Sequence, residues 1–366
     1  MSILWTTPQF DAWVLSGFAM SASAKQKKEE SVRNLWKGGL AVLAAIAIGG
    51  VTANGALAQT VRAWTPKPVK LAPYVKGHKP HTKLSEVLAG KDPFKTWHHK
   101  VVDDKHLKAE YVGLKVGDST RTRLVDDHRT AFIVWDGQIE VTIQGQTPFI
   151  ATKGFMVQVP FRLAFTLKNV GSTPSLHFEI FNADSNVLYP EDSATLPKPP
   201  KGQGWYLSRL DAPDTYERQG TPVFYDFLAS PAAGAFVSDD RMFVNRIRGQ
   251  ARNCDPQPAT SIGHFHVDYA EFWFIMEGQI SYNIEGLPFF VAEPGDIVYV
   301  PAGRWHSAAN HCPGFDTRIA INGYPRGSHH WPVTQPAVPP IDGPPHHAGP
   351  PPHAGPPPHE QTADLN

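Results

Sequence analysis

An excess of charge of either sign is the first thing this chain lacks. Lysine plus arginine and aspartate plus glutamate each total 34 in 366 residues, so the formal net charge is zero. A balanced chain leaves no broad electrostatic footprint for nucleic acid, and no nucleic-acid partner is expected. Cysteine is scarce too, with Cys254 and Cys312 the only two. In an oxidising compartment they can pair; two unpaired thiols are the alternative, because spacing in sequence does not give the Cα separation that a bridge requires. A long apolar run is missing as well. The run from Leu40 to Val51 falls short of the roughly 20 residues that span a bilayer.

That short run has the flanks of an export signal. Lys25, Lys27, Lys28, Arg33 and Lys37 precede it, and Ala56, Leu57 and Ala58 follow it. A basic region, a short apolar region and an A-x-A site in that order predict a signal peptide over 1–58 cleaved after Ala58. Met20 is a second candidate start, since residues 1–19 are unusual in front of a signal. The mature chain is then periplasmic or secreted, with no stable membrane span.

Proline and glycine are abundant, at 35 and 30 residues, and predict many turns. Residues 59–104 are rich in Pro and Lys without an apolar period and read as an N-terminal arm lying against the domain that follows. Over 105–189 short strand-like runs alternate with turn signals such as Asp136-Gly137 and Gln144-Gly145, a pattern that predicts an antiparallel sandwich or barrel. The interval 190–235 is a Pro-rich linker. Strand-like runs resume over 236–326, and 327–366 is a tail rich in Pro and His with nothing to bury, expected to be extended or disordered. Its histidines give it the composition of a metal-gathering tract or a plain spacer.

The two strand-rich stretches are copies of one another. A constant offset of 141 carries Gly137, Gln138 and Ile139 onto Gly278, Gln279 and Ile280, Gly154 onto Gly295, Val159 and Pro160 onto Val300 and Pro301, and Asn169 onto Asn310. Internal duplication is the natural account.

Chemistry concentrates in the second copy. His264 and His266 are separated by one residue, so an extended chain points both rings to one side. Glu271 follows at the start of a strand run, and His306 lies after the turn at Pro301, Ala302 and Gly303. Three imidazoles and one carboxylate suit Mn, Fe, Ni, Co or Cu with positions left open, whereas closed structural zinc sites more often use thiolate. The first copy has Arg123, Val125, Thr130 and Phe165 at the four positions and is expected to keep the scaffold without the metal; His128 nearby cannot make a site alone. Arg304 and Tyr269 are candidate catalytic residues that would orient or ionise a substrate. Asn310 is a candidate for orienting a ligand from behind. Phe272, Trp273, Phe274, Tyr299 and Trp305 are aromatic surroundings, expected to be mostly core.

The second copy resembles a cupin. The pattern H-x-H-x4-E-x6-G is met by His264, His266, Glu271 and Gly278, and G-x5-P-x-G-x2-H-x3-N by Gly295, Pro301, Gly303, His306 and Asn310. Pro258 stands where the family usually has a glycine, a change in a turn and not in a ligand. The resemblance implies an all-β fold of two tandem cupin barrels (jelly-roll, double-stranded β-helix), a bicupin whose first barrel is degenerate. It implies a divalent transition metal, Fe or Mn ahead of Ni, Co, Cu or Zn, and a small-molecule substrate. It further implies an oxidoreductase of the dioxygenase type, with oxalate decarboxylase or oxidase chemistry and a non-catalytic binding role as alternatives. Strand exchange between family members makes a homodimer an option.

Overall fold

The computed structural model describes residues 65–75, 77–190, 196–212, 214–229, 234–239, 241–257, 262–324 and 329–331. The expected signal peptide and its cleavage after Ala58, the second start at Met20, Pro258 and the tail beyond Trp331 lie outside the described residues. Strands dominate. They run as β1 (His81–Thr82), β2 (Trp97–Asp103), β3 (Leu107–Leu114), β4 (Leu124–Val125), β5 (Thr130–Asp136), β6 (Ile139–Ile143), β7 (Phe149–Ala151), β8 (Phe155–Val159), β9 (Phe165–Asn169), β10 (Ser175–Asn182) and β11 (Val187–Leu188). They continue as β12 (Phe224–Asp226), β13 (Gly234–Ser238), β14 (Phe243–Gly249), β15 (Glu271–Glu277), β16 (Gln279–Ile284), β17 (Phe290–Ala292), β18 (Ile297–Val300), β19 (His306–His311) and β20 (Asp316–Asn322). Among the described residues two single-turn helices, α1 (Leu84–Leu88) and α2 (Thr215–Gln219), are inserted between them. Among the described residues no helix is long and apolar enough to cross a membrane.

Each copy is a six-stranded sheet packed on a three-stranded one. The first copy uses β12-β8-β5-β10-β3-β2 over β7-β6-β9; the second uses β1-β18-β15-β20-β14-β13 over β17-β16-β19. The offset of 141 holds in the pairing itself. Thr130 is opposite Val159 as Glu271 is opposite Val300, and Ile143 is opposite Phe165 as Ile284 is opposite His306.

Side-chain alternation builds two kinds of core from one strand. Trp273 and Ile275 of β15 point inside their own barrel with Ile280, Tyr282 and Val298, while Phe272, Phe274 and Met276 point outward. The outward set meets Tyr111 and Phe178 of the first barrel, with Phe178 stacked on Phe274 at 5.1 Å between ring centres. Pairs of this kind add about 0.5–1.5 kcal/mol beyond their burial. A six-stranded sheet apolar on both faces therefore closes its own barrel and joins its partner.

The arm and the linker depart from the sequence expectation. The first part of the arm does not lie on the domain that follows it but crosses to the second barrel. His81 and Thr82 pair with Val298 and Ile297, Lys67 reaches Glu285 at 2.7 Å, and the Tyr74 hydroxyl donates to the Tyr299 carbonyl at 3.1 Å. The last part of the arm, β2, pairs with β3 of the first barrel. The linker also carries structure. Its β12 extends the first barrel along β8, and Tyr216 of α2 donates to the Gln158 carbonyl.

Candidate metal centre

The four ligands predicted from sequence come together at the mouth of the second barrel. His264 and Phe265 form isolated bridges and not a full strand, yet the backbone is extended enough for alternation to hold. His264 exchanges both backbone hydrogen bonds with His306, at 2.9 and 2.8 Å, and the Gly303 amide donates to the His266 carbonyl at 2.6 Å. These bonds fix the two histidine-bearing segments against each other. Gly263, with φ of +52°, allows the approach, since a Cβ there would lie 2.3 Å from the Trp305 ring. Glu271 and His306 are the first residues of β15 and β19 and share the inward face with Trp273, whose ring centre is 5.3 Å from that of His306.

Glu271 Oε2 is 2.9 Å from His266 Nε2, 3.3 Å from His306 Nε2 and 3.9 Å from His264 Nε2. One ligand atom from each of the four residues fits within 4.8 Å of the others. His266, Glu271 and His306 are buried. The His264 side chain is 25% exposed and marks the open side.

Electrostatics favour a cation in this space. Burial pushes the His264 pKa down to about 3 against the pull of Glu271, and burial likewise lowers His306. Burial alone would raise the Glu271 carboxyl, but the surrounding imidazoles more than offset it and hold it well below the usual carboxylate range. His264 and His306 are thus held neutral beside an ionised carboxylate. His306 Nδ1 lies 3.1 Å from the Arg304 carbonyl, which can only accept. A neutral His306 therefore spends its single N–H there and turns the bare lone pair of Nε2 toward Glu271. A lone pair 3.3 Å from a carboxylate oxygen, with a second imidazole nitrogen (His264 Nε2) at 3.1 Å, is a donor set for a bound cation. The residues fit a divalent first-row metal.

The neighbouring candidates take different places. The Tyr269 hydroxyl is 2.7 Å from His266 Nδ1 and its ring stacks on the His266 ring, so it acts from behind that ligand. The Arg304 side chain faces away from the ligands and binds the carbonyls of Glu285 and Ala72, both at 2.6 Å; it fastens the arm. Asn310 accepts from Arg318 at 3.4 Å and touches no ligand. Phe272, Phe274 and Tyr299 belong to the core between the barrels, whereas Trp305 donates to the Ile262 carbonyl at 3.3 Å. Cys254 and Cys312 form a disulfide. His128 lies 3.4 Å from the Ser185 hydroxyl, away from any cluster.

Sequence reasoning missed His329. Composition places it in the tail, yet its ring centre is 3.9 Å from that of His264 and 5.2 Å from that of His266.

In the first barrel Arg123 bridges to Phe165 just as His264 bridges to His306. The Arg123 guanidinium binds Glu179 at 2.5 Å, and His177 Nε2 is 2.9 Å from the same carboxylate oxygen. The segment that corresponds to the one bearing His264 thus carries a guanidinium paired with a buried carboxylate.

Residues 254–319 match the family model of the cupin domain, and residues 97–180 match that described as Mif2/CENP-C like. Shifted by the repeat offset, the second of these falls over the first. Residues 254–319 thus carry a cupin domain, and the described fold is all-β with two tandem barrels of like strand order. No curated protein is similar enough in sequence to count as a relative. Among solved structures it is similar to a cupin 2 conserved barrel domain protein from Leptotrichia buccalis, at 9% identity and a TM-score of 0.44 over 70% of this chain and 98% of that one. It is also similar to oxalate decarboxylase from Bacillus subtilis, at 13% identity and a TM-score of 0.45 over 72% and 81%. At that distance neither carries a conclusion about chemistry.

Proposed function

We propose that the protein is an exported, metal-dependent bicupin enzyme, an oxidoreductase of the dioxygenase type acting on a small enol, phenol or carboxylate. The observation that carries this reading is the bare Nε2 of His306 turned toward the Glu271 carboxylate, in a cluster open on the His264 side. A bound Fe or Mn would supply Lewis acidity and a template for substrate and dioxygen. The chain's own residues hold that chemistry in place. Tyr269 and the Arg304 carbonyl fix two of the rings from behind, and Trp273 keeps water from the inner side of His306. The disulfide supports maturation in an oxidising compartment.

The test begins with metal analysis of the full chain purified after export by its own host. About one first-row metal per chain is expected for a single cluster, with most of it lost in His264→Ala and His306→Ala. Oxygen uptake by the metal-loaded protein against enols, catechols and small carboxylates then reads the reaction. Carbon dioxide release from oxalate without net oxygen uptake would replace the dioxygenase reading by the decarboxylase one. Ligand binding by metal-free protein with no turnover would replace both by a binding role.

A further inference from the structure

The segment just after the second barrel is part of the site. The Phe265 amide donates to the His330 carbonyl at 2.9 Å and the His330 amide donates back at 3.0 Å. That bridge carries His329 across the open side of the cluster, against His264, the one ligand with appreciable exposure. The first barrel closes in the same way. There Leu188 and Val187 of β11 pair with Leu124 and Val125 of β4, and Leu124 is the counterpart of Phe265. Leu188 thus matches His330, and Val187 matches His329. The barrel without ligands has an aliphatic side chain where the barrel with ligands has an imidazole.

We propose that His329 is a substrate-binding residue of the metal centre, donating a hydrogen bond to a carboxylate or similar small oxyanion held at the open coordination positions. This rests on the metal-centre reading above. Three features support it. His329 is not among the four residues whose ligand atoms converge, so it is not needed to hold the metal. Its ring overlies two of those ligands on the side from which a substrate must come. An imidazole ring can hydrogen-bond an oxyanion through its ring N–H, whereas a valine at the same place in the first barrel cannot. The substrate class that follows is small and anionic.

The experiment compares the full chain with His329→Val, which installs the first barrel's residue, and His329→Asn, which keeps an N–H donor. Mn(II) binding is measured by calorimetry, and formate binding to the Mn(II)-loaded protein by its effect on the electron paramagnetic resonance spectrum. The expected result is Mn(II) affinity unchanged within about twofold in both variants. Formate affinity should fall about tenfold or more in His329→Val, the loss expected for one hydrogen bond to a charged group, with partial recovery in His329→Asn. Equal formate affinity in His329→Val and wild type would overturn the proposal, as would a wild-type protein that binds Mn(II) but no formate. A tenfold or larger loss of Mn(II) affinity in both variants would make His329 a ligand instead. Failure of the wild-type chain to bind any first-row metal would remove the metal centre itself, a result distinct from the others.

Discussion

Arg123, Glu179 and His177 show at the scale of single residues how the first barrel holds a buried carboxylate. Burial alone would raise the Glu179 carboxyl, but the Arg123 guanidinium and the His177 imidazole more than reverse that and hold it well below its ordinary value of 4.5. A carboxyl depressed by folding adds stability above its unfolded value, and that stability is lost as pH falls through the usual carboxylate range toward the folded value. Glu179→Gln should therefore flatten the decline of unfolding free energy below about pH 5, followed by urea denaturation across the acid range. Arg123→Ala leaves a buried carboxylate with only an imidazole beside it. The expected cost at neutral pH is about 3–5 kcal/mol, as for other buried pairs broken on one side. A cost below about 1 kcal/mol would mean that the pair is solvated.

Elements, not residues, explain where sequence and structure part. The cluster of His264, His266, Glu271 and His306 was legible because each member sits at fixed spacing on an extended segment, and the duplication because both copies keep their turn glycines. The arm was not legible in the same way. Its pairing strand, β1, is two residues long, too short for a period to register, and its partner β18 lies more than 200 positions away. Arg304 looked like a substrate group because it lies two residues from a ligand. Its buried side chain instead ties Ala72 of the arm to the turn at Glu285. His329 was hidden by composition, since the bridge that places it is one residue long and the proline-rich tail begins just beyond. Arg304→Ala should lower unfolding free energy by about 1.5–3 kcal/mol, the range for hydrogen bonds from a charged donor. It should also quicken proteolysis within 65–80 while leaving metal stoichiometry as in wild type. The carbonyl that receives His306 belongs to the backbone and survives the change. Loss of metal without loss of stability would return Arg304 to the site.

For the molecule as a whole, the two barrels are held by one core and the second is closed by one covalent tie. Cys254 precedes the ligand segment and Cys312 follows β19, so the bond encloses all four ligands within a span of 58 residues. Its main effect is to deny the unfolded chain the freedom of that span, worth about 4 kcal/mol on the loop-entropy relation. A metal held by the four residues would read the same constraint from the other side, because the loop that closes covalently is the loop whose two ends must meet for His264 and His306 to exchange their backbone bonds. Replacing both cysteines by serine should thus lower thermal stability in the metal-free protein more than in the metal-loaded one, where ligation restores part of the closure. Scanning calorimetry of the two proteins, each with and without Mn(II), reads this directly. Equal losses in both states would mean that metal and disulfide constrain the barrel independently. A smaller loss in the loaded state would make them alternative clasps on one loop, and would suit a protein exported and oxidised before its metal arrives.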